Sequence, residues 1–401
     1  MGTSARKLNK GILAFLTTTL ISTASIAAPG DDEEFRQFQQ SFQNETNSGA
    51  NSLQQEFEAS LKEDDRLLKL EEKEYQNYKR DILKQWDEFR GSTKKEWVDY
   101  SKGKSSRSIV NFEKGKVSLE VVVPVDPKQK VINKLSKEQR LAALNNIKKQ
   151  LEKIINDKSV GGESPVKNQI SLNGNKPISR ASLDRTARKI LNEKLEISKK
   201  PYVAKDGKSR VKAKVNLKMV PNHLKIRAQK FAKPVNKYSR KYNVDPALVL
   251  AIIHTESYFN PKARSHIPAY GLMQLVPRSG GRDAYRHAFG KDKKPNSSYL
   301  YNPENNIQLG TAYLDLLSKR EFKNVKNSTS KMYLITAAYN TGGGNVSKAI
   351  TGNTNIYKAS GKINNMSPES LYKRLERKLP YKETRDYIRK VRERKKIYDS
   401  Q

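Results

Sequence analysis

Two stretches of the chain have the period of β-strands: residues 108–123, where Val117, Leu119, Val121 and Val123 alternate, and residues 211–220, where the alternation is strict. Residues 108–123 predict a strand, a Glu-Lys-Gly turn and a second strand. Residues 211–220 place apolar side chains on one face and lysines on the other, which is typical of a half-buried strand. Both stretches therefore predict strands whose two faces differ in polarity.

Apolar residues that recur every three or four positions predict helices around these strands. The predicted helices cover residues 61–97, 136–156 and 179–195, with a polar loop over 159–177. Ser136, followed three positions later by Gln139, is typical of a capping box. Trp86 and Trp97, which are the two tryptophans of the chain, are expected in the core. Residues 61–220 are thus predicted to form one α+β module.

A Pro-Asn break at 221–222 separates this module from a second one, residues 221–401, whose most apolar helix begins at Asp245. Asp245 is a favourable N-cap, and proline is favoured at the next position. Every residue from 247 to 253 is apolar, so we expect this helix to be buried nearly all round. Glu256 follows within one turn. A carboxyl group at the end of so apolar a helix is a candidate for a raised pKa and for proton donation.

The charge of the chain favours a polyanionic partner. Its 401 residues include 78 Lys or Arg and 42 Asp or Glu, for a formal net charge of +36. Fifteen basic residues and one acid lie between 198 and 241. This run is interpreted either as a solvated face or as a surface that holds an anionic polymer near the second module.

Metal and cofactor chemistry receive no support from the sequence. The chain has no cysteine, which excludes disulfides, thiolate metal sites and cysteine nucleophiles. Nucleotide-binding, metalloprotease and serine-hydrolase motifs are absent. The histidines, which are His223, His254, His266 and His287, have no ligand spacing. We therefore expect no metal and no cofactor.

The first residues are typical of a secretory signal peptide. Basic residues at positions 6, 7 and 10 precede an apolar stretch over 11–26 and small residues at 25–28. We predict a signal peptide over 1–27, with an uncleaved membrane anchor as the alternative, and then a loose polar lead-in over 28–60. Export to the periplasm or cell envelope argues against a nucleic-acid partner. It leaves the cell wall, and peripheral association with the envelope, as destinations for the basic surface.

Four segments of the second module, taken together, resemble the soluble lytic transglycosylase catalytic domain, the lysozyme-like family 1 arrangement. They are Glu256-Ser257, Gly271-Leu272-Met273-Gln274, Ala338-Tyr339-Asn340 and Glu383-Thr384-Arg385-x-Tyr387. Their order is that of the family, and the resemblance covers residues 225–396. Residues 61–220 more weakly resemble the N-terminal domain of the membrane-bound lytic murein transglycosylase C family. Those enzymes are lipoproteins, whereas this chain lacks a lipobox cysteine, which implies a soluble periplasmic form.

The resemblance implies an α+β protein, with a mixed α/β N-terminal module before a mainly α-helical, lysozyme-like catalytic domain. It implies that Glu256 is the catalytic acid and then the base, and that Tyr387 orients it or stabilises the transition state, with Tyr339 as the second choice. The residues expected to bind substrate are Ser257, Met273, Gln274, Tyr339 and Asn340.

The substrate implied is a peptidoglycan glycan strand, and other cell-wall enzymes are candidate partners. Glycosidases ordinarily use two carboxyl groups. The motifs offer no obvious second acid, since Asp283 and Glu304 fall outside them. A single acid suits a transglycosylase, in which the C6 hydroxyl of the sugar replaces water. Two alternatives remain: a lysozyme-type hydrolase of the same fold, and a non-catalytic basic scaffold that binds the cell wall.

Overall fold

The structure, a computed structural model, describes residues 32–159, 162–179, 182, 183, 185, 186, 189 and 195–399. The chain divides into two units, Met1–Ser60 and Leu61–Gln401. The predicted signal peptide lies outside the described residues, and so does most of the helix predicted over 179–195. None of the described helices combines the length and the apolar character that a membrane span requires.

The first helix, α1 (Asp32–Leu83), corrects two predictions at once. The lead-in predicted to be loose is helical from Asp32, because residues 32–60 contain no proline and are rich in Glu and Gln, which are strong helix formers. The helix predicted over 61–97 ends at Leu83. Residues 96–100 form a strand instead, because they pair with the next strand along the chain.

An antiparallel sheet forms the centre of the N-terminal module. Its longer strands are β1 (Glu96–Tyr100), β2 (Ser106–Asn111), β3 (Lys116–Pro124) and β7 (Ser209–Met219). Three two-residue strands, β4 (Ile170–Ser171), β5 (Glu196–Ile197) and β6 (Tyr202–Val203), pair with β7. The order β1-β2-β3-β7-β4 confirms the hairpin and the alternating strand predicted from sequence.

Helix α2 (Lys137–Ile155) covers the apolar face of the sheet, and the predicted capping box is present at its start. The Ser136 hydroxyl accepts a hydrogen bond from the Gln139 amide at 3.1 Å, and the Gln139 side chain accepts one from the Ser136 amide at 2.9 Å. Alternate residues of β3 and β7 pack with α2 in one hydrophobic core. Trp97 belongs to that core and Trp86 to a smaller cluster beside it, which confirms both as core residues.

The C-terminal module is built almost wholly from helices around a second core, which confirms the predicted fold class. Its helices are α3 (His223–Tyr242), α4 (Pro246–Ser257), α5 (Gly280–Phe289), α6 (Ser297–Tyr301), α7 (Pro303–Leu316), α8 (Ser328–Thr341), α9 (Gly343–Thr351), α10 (Ile356–Asn364), α11 (Pro368–Lys378) and α12 (Lys382–Asp399). A π-helical turn, Leu317–Glu321, extends α7. Among these helices, α12 packs closely on α4.

Polar contacts join the two modules. Asp157, after α2, forms an ion pair with Lys262 at 2.9 Å. On the C-terminal part of α1, Glu72 pairs with Arg264 at 2.9 Å, and the Arg264 guanidinium stacks 3.5 Å from the centre of the Tyr75 ring. The segment 264–278, which contains one of the predicted sugar-binding motifs, is therefore in contact with α1.

Candidate active site

Helix α4 places Glu256 in the interior of the module. As predicted, the helix begins after an aspartate N-cap and is buried by its apolar sequence. The Asp245 side chain accepts a hydrogen bond from the Ala247 amide at 2.8 Å, which fixes the N-terminus. Residues on every side of the helix are buried, including Ala247, Ile252 and Glu256. The helix ends where Tyr258 adopts a left-handed conformation with φ of 52°. Glu256 therefore lies in the last turn of a helix with little contact to water.

Glu256 is 4% exposed, and the groups around its carboxyl group have opposite effects on its pKa. Burial raises its pKa, whereas the ammonium of Lys94, 3.2 Å from Oε2, lowers it. The Tyr387 hydroxyl also lowers the pKa, and the negative charge of Glu383 raises it. The net result is a pKa above the ordinary value for Glu, which favours the protonated form that a general acid needs.

Two tyrosines flank this carboxyl group. Burial and the charge of Glu256 raise the pKa values of Tyr387 and Tyr339 well above that of free tyrosine, so both phenols stay neutral. The Tyr339 hydroxyl donates a hydrogen bond to the Met273 carbonyl at 2.7 Å. The Tyr387 hydroxyl interacts with Glu256 but makes no hydrogen bond of normal geometry to any described group. Tyr387 is therefore free to adjust its hydrogen bonding as Glu256 gains or loses its proton.

The turn at 270–275 is held against α4 and α7. The Ser257 hydroxyl donates to the Leu272 carbonyl at 2.7 Å, which ties the turn to the end of α4. Asn306, buried in α7, accepts from the Met273 amide at 2.7 Å and donates to the Tyr270 carbonyl at 2.9 Å. These bonds fix the main chain of the motif that contains Gln274.

Ser257 and Met273 were predicted to contact sugar, but the structure places both side chains in the interior. Both are fully buried, because the Ser257 hydroxyl is used to hold the turn and the Met273 side chain packs in the main core. They support the wall of the site from behind. Gln274 is 8% exposed, and its amide donates to the carbonyls of Ala263 and Gly271 at 3.2 and 3.0 Å. The Gln274 carbonyl oxygen is buried and has no hydrogen-bond partner among the described groups, so it is an unsatisfied acceptor.

Asn340 lies at the end of α8 and is half-buried. Its side-chain oxygen accepts a hydrogen bond from the Thr384 hydroxyl at 2.7 Å, which leaves the amide NH₂ as its donor toward a ligand. Thr384 lies between Glu383 and Arg385 in the last motif, so this bond joins two of the four motifs. The structure thus brings Glu256, Tyr339 and Tyr387 together, with Gln274 and Asn340 on adjoining segments.

Three contributors were missed by the sequence prediction. Lys94 and Asn306 have no local signal that marks them. Glu383 was overlooked although it lies in the last motif, and the statement that the motifs offer no second acid needs this correction. Glu383 is exposed one turn before Tyr387 on α12, so the two side chains share a face of the helix, and its charge acts on Glu256.

Metal binding finds no support in the described part of the chain, where no group of three or more His, Cys, Asp or Glu side chains could hold an ion. His254 is buried instead beside α12, where its ring nitrogen lies 3.0 Å from the Tyr398 hydroxyl. Burial and the nearby charge of Arg394 lower the pKa of His254 to about 3, so it stays neutral.

The basic residues between 198 and 241 lie in different environments. Some form ion pairs within the module, and Lys218 lines an open cavity on the sheet. Lys212 pairs with Asp87 at 2.8 Å and Lys214 with Glu196 at 3.1 Å, so part of the positive charge is neutralised locally. Lys218 instead lines a cavity of about 440 Å³ on the polar face of the sheet. This cavity also receives Arg90, Glu96, Lys114 and Lys116. Its lining residues do not include Glu256, Tyr339 or Tyr387.

Gly271 is needed for the turn, and Gly271→Ala should destabilise the unit by about 2 kcal/mol or more. Its φ of +76° disfavours a side chain by about 1–2 kcal/mol, and a Cβ would lie 2.4 Å from the Leu300 carbonyl and 2.5 Å from the Asn306 amide. The matched control is Gly290→Ala, with φ of +69° and no atom within 4 Å of the Cβ. Urea unfolding measures both. Equal losses would mean that the close packing at Gly271 is unimportant.

Comparison with known proteins finds similarity over both modules, and the matched ranges include the first three of the four motifs. Residues 233–360 match the family model of the Transglycosylase SLT domain. Residues 60–230 match the family model of the N-terminal domain of membrane-bound lytic murein transglycosylase C. Residues 233–360 are thus similar to a lytic-transglycosylase domain, and residues 60–230 are similar to the N-terminal domain of that particular type. Both resemblances predicted from sequence are confirmed.

Similar proteins carry the same designation. Membrane-bound lytic murein transglycosylase C of Pectobacterium atrosepticum is 44% identical over 184 residues, which is 46% of this chain and 51% of that protein. The protein of the same name from Klebsiella pneumoniae is 43% identical over 189 residues, covering 47% and 52%. The chain thus spans about half the length of the curated relatives it matches. A solved structure, the 70 kDa soluble lytic transglycosylase of Escherichia coli, is 25% identical, with 42% and 24% covered and a TM-score of 0.33.

Proposed function

We propose that the chain is a peptidoglycan lytic transglycosylase of the cell envelope that cleaves the β-1,4 bond between N-acetylmuramic acid and N-acetylglucosamine. The observation that carries the proposal is the buried Glu256 carboxyl, whose pKa is raised by its apolar surroundings and which lies between two neutral tyrosines. Such a group donates a proton efficiently to a leaving oxygen. A non-catalytic scaffold would have no use for an acid held in this way.

The reaction proceeds in two halves in which one carboxyl group serves twice. Glu256 first gives its proton to the glycosidic oxygen as the bond to C1 of N-acetylmuramic acid breaks, and the carbonyl oxygen of the sugar's own N-acetyl group bonds to C1. The C6 hydroxyl of the same sugar then attacks C1, the bond between C1 and the N-acetyl oxygen breaks so that the acetamido group is restored on C2, and Glu256 takes the C6 proton. The product is a 1,6-anhydromuramoyl end, no water is consumed, and Glu256 is protonated again.

The residues around Glu256 have complementary roles in this proposal. Tyr387 donates a hydrogen bond to Glu256 when the latter is ionised, because its hydroxyl has no other partner among the described groups. The free carbonyl oxygen of Gln274 and the amide of Asn340 bind N-acetyl or hydroxyl groups of the sugars. Tyr339 contributes its ring to the cleft while its hydroxyl holds the Met273 carbonyl. Ser257 and Met273 act indirectly, by fixing the turn that presents Gln274.

The competing reaction is hydrolysis, and Glu383 is the observation in its favour. A lysozyme-type enzyme needs a second carboxylate to activate water, and Glu383 shares a helix face with Tyr387. Glu383 is, however, exposed at the start of α12, where water and salt screen its charge. We therefore favour the single-carboxyl reaction.

Mass spectrometry of muropeptides released from purified sacculi, in water enriched in oxygen-18, distinguishes the two reactions. The expected products carry anhydro ends and no label, because no water enters. A hen-type lysozyme digest run alongside supplies labelled reducing ends as the reference. Labelled reducing ends from this protein would replace the proposal with hydrolysis, and Glu383→Gln should then abolish the label.

A further inference from the structure

A lysine from the N-terminal module reaches the candidate catalytic acid. Lys94, in the bend between α1 and β1, donates a hydrogen bond to Glu256 Oε2 at 3.2 Å, although the two residues are 162 positions apart. Its segment is fixed to the catalytic module, because the fully buried Asn260 donates to the carbonyls of Thr93 and Glu96, both at 3.3 Å. The position of Lys94 is therefore determined by the fold on both sides of the residue.

Among the described groups, Lys94 is the cation whose positive charge lowers the pKa of Glu256. The other groups that face the carboxyl group are the phenols of Tyr387 and Tyr339, which are neutral, and the carboxylate of Glu383, which opposes ionisation. A buried carboxylate without a cation is costly, because burial removes most of its hydration. The ionised form of Glu256 thus depends on a residue that lies outside the catalytic module.

We propose that Lys94 is a positioning residue that holds Glu256 in place and stabilises its carboxylate between proton donation and proton uptake. The inference rests on the proposed function, in which Glu256 is ionised between the two halves of the reaction. The Lys94 side chain is 37% exposed, so its ammonium stays partly hydrated while it pairs with a nearly buried partner. The N-terminal module therefore completes the active site in addition to any role in binding the cell wall.

The pH dependence of kcat/KM tests this role. The free enzyme must carry protonated Glu256, so kcat/KM falls as the pH rises through the pKa of that group. Lys94 lowers this pKa, and Lys94→Met removes the lowering. The falling limb should then move to higher pH by about 1–3 units, the usual effect of an opposite charge at this distance. Lys94→Arg, which keeps the charge, should move the limb by less than half as much.

Lys95→Met is the matched control. Lys95 is the next residue in the same bend, but it pairs with Glu113 at 2.7 Å instead of with Glu256. Its substitution removes one positive charge from the same segment and should leave the limb in place. Both variants are assayed on the full chain, with the midpoint of thermal unfolding measured beside the pH profile. Lys94→Gln serves as the neutral variant if Lys94→Met does not fold.

The outcomes separate three explanations. A limb that moves in the neutral Lys94 variants, and not in Lys95→Met, supports the proposal. If the neutral Lys94 variants have a lower rate but the falling limb stays at the same pH, Lys94 acts only structurally and the proposal is overturned. Equal shifts in both positions would also overturn it, because they would report the general field of the module. The outcome of the oxygen-18 experiment is independent of this test. A shift in the falling limb of the pH profile reports the pKa of Glu256 whether the products carry anhydro ends or reducing ends.

Discussion

Glu256→Gln should lower the release of soluble muropeptides from sacculi by about 10²–10⁴-fold while binding to sacculi is retained. Glutamine has nearly the same size, so the cleft keeps its shape, but its amide cannot supply or take up the proton at the glycosidic oxygen. Folding should be preserved or improved, because a buried ionisable group is replaced by a neutral one. Release is measured by chromatography of soluble products, and binding by co-sedimentation.

The matched control for this substitution is Glu304→Gln. Glu304 is an exposed acid of the same module that pairs with Lys237 at 2.6 Å on the surface. Exposed pairs of this kind contribute little to stability, about 0–1 kcal/mol, so the control should keep near wild-type activity. If Glu256→Gln continued to release muropeptides at the wild-type rate, Glu256 would not be the acid. Loss of binding together with release would instead point to a damaged cleft.

Local signals in the sequence were enough to predict helix α4 and the acid it carries. An N-cap aspartate, a proline in the first turn and an unbroken apolar run define the start and the burial of this helix without reference to any other part of the chain. The capping box of α2 and the alternation in β7 were predictable for the same reason, since each depends on residues a few positions apart. Tyr387 was placed by the order of the motifs and lies beside Glu256 as expected.

The features that could not be predicted from the sequence depend on contacts between residues far apart in the chain. Trp97 fits helical spacing, yet its segment is a strand because it pairs with β2 across a turn. Lys94 is one of 78 basic residues, so nothing in the sequence distinguishes it from a solvated lysine. Ser257 and Met273 were expected to contact sugar, but burial depends on how the turn packs against α4 and α7, which no local pattern reveals.

One buried guanidinium contributes several hydrogen bonds to the contact between the modules. Arg227, on α3, is 1% exposed. It donates to the Phe112 carbonyl at 3.0 Å, the Gln169 side chain at 2.9 Å and the Tyr258 carbonyl at 3.1 Å. Burial lowers its pKa to about 9, so it remains charged at neutral pH. Because Tyr258 ends the helix that carries Glu256, Arg227 connects that helix to the sheet of the N-terminal module.

Arg227→Met should therefore destabilise the protein by about 3 kcal/mol or more, because it leaves buried acceptors without donors at about 1–3 kcal/mol each. Methionine fills much of the same volume, so the loss reports the hydrogen bonds and not a cavity. Arg240→Met, at an exposed position of the same helix, should change stability by no more than about 0.5 kcal/mol.

Calorimetry should show a lower unfolding temperature for Arg227→Met and two separate transitions, since the modules no longer unfold together. Muropeptide release should fall as well, because Lys94 and Glu256 are held on opposite sides of the weakened contact. A single transition at the wild-type temperature would mean that the remaining contacts join the modules without Arg227.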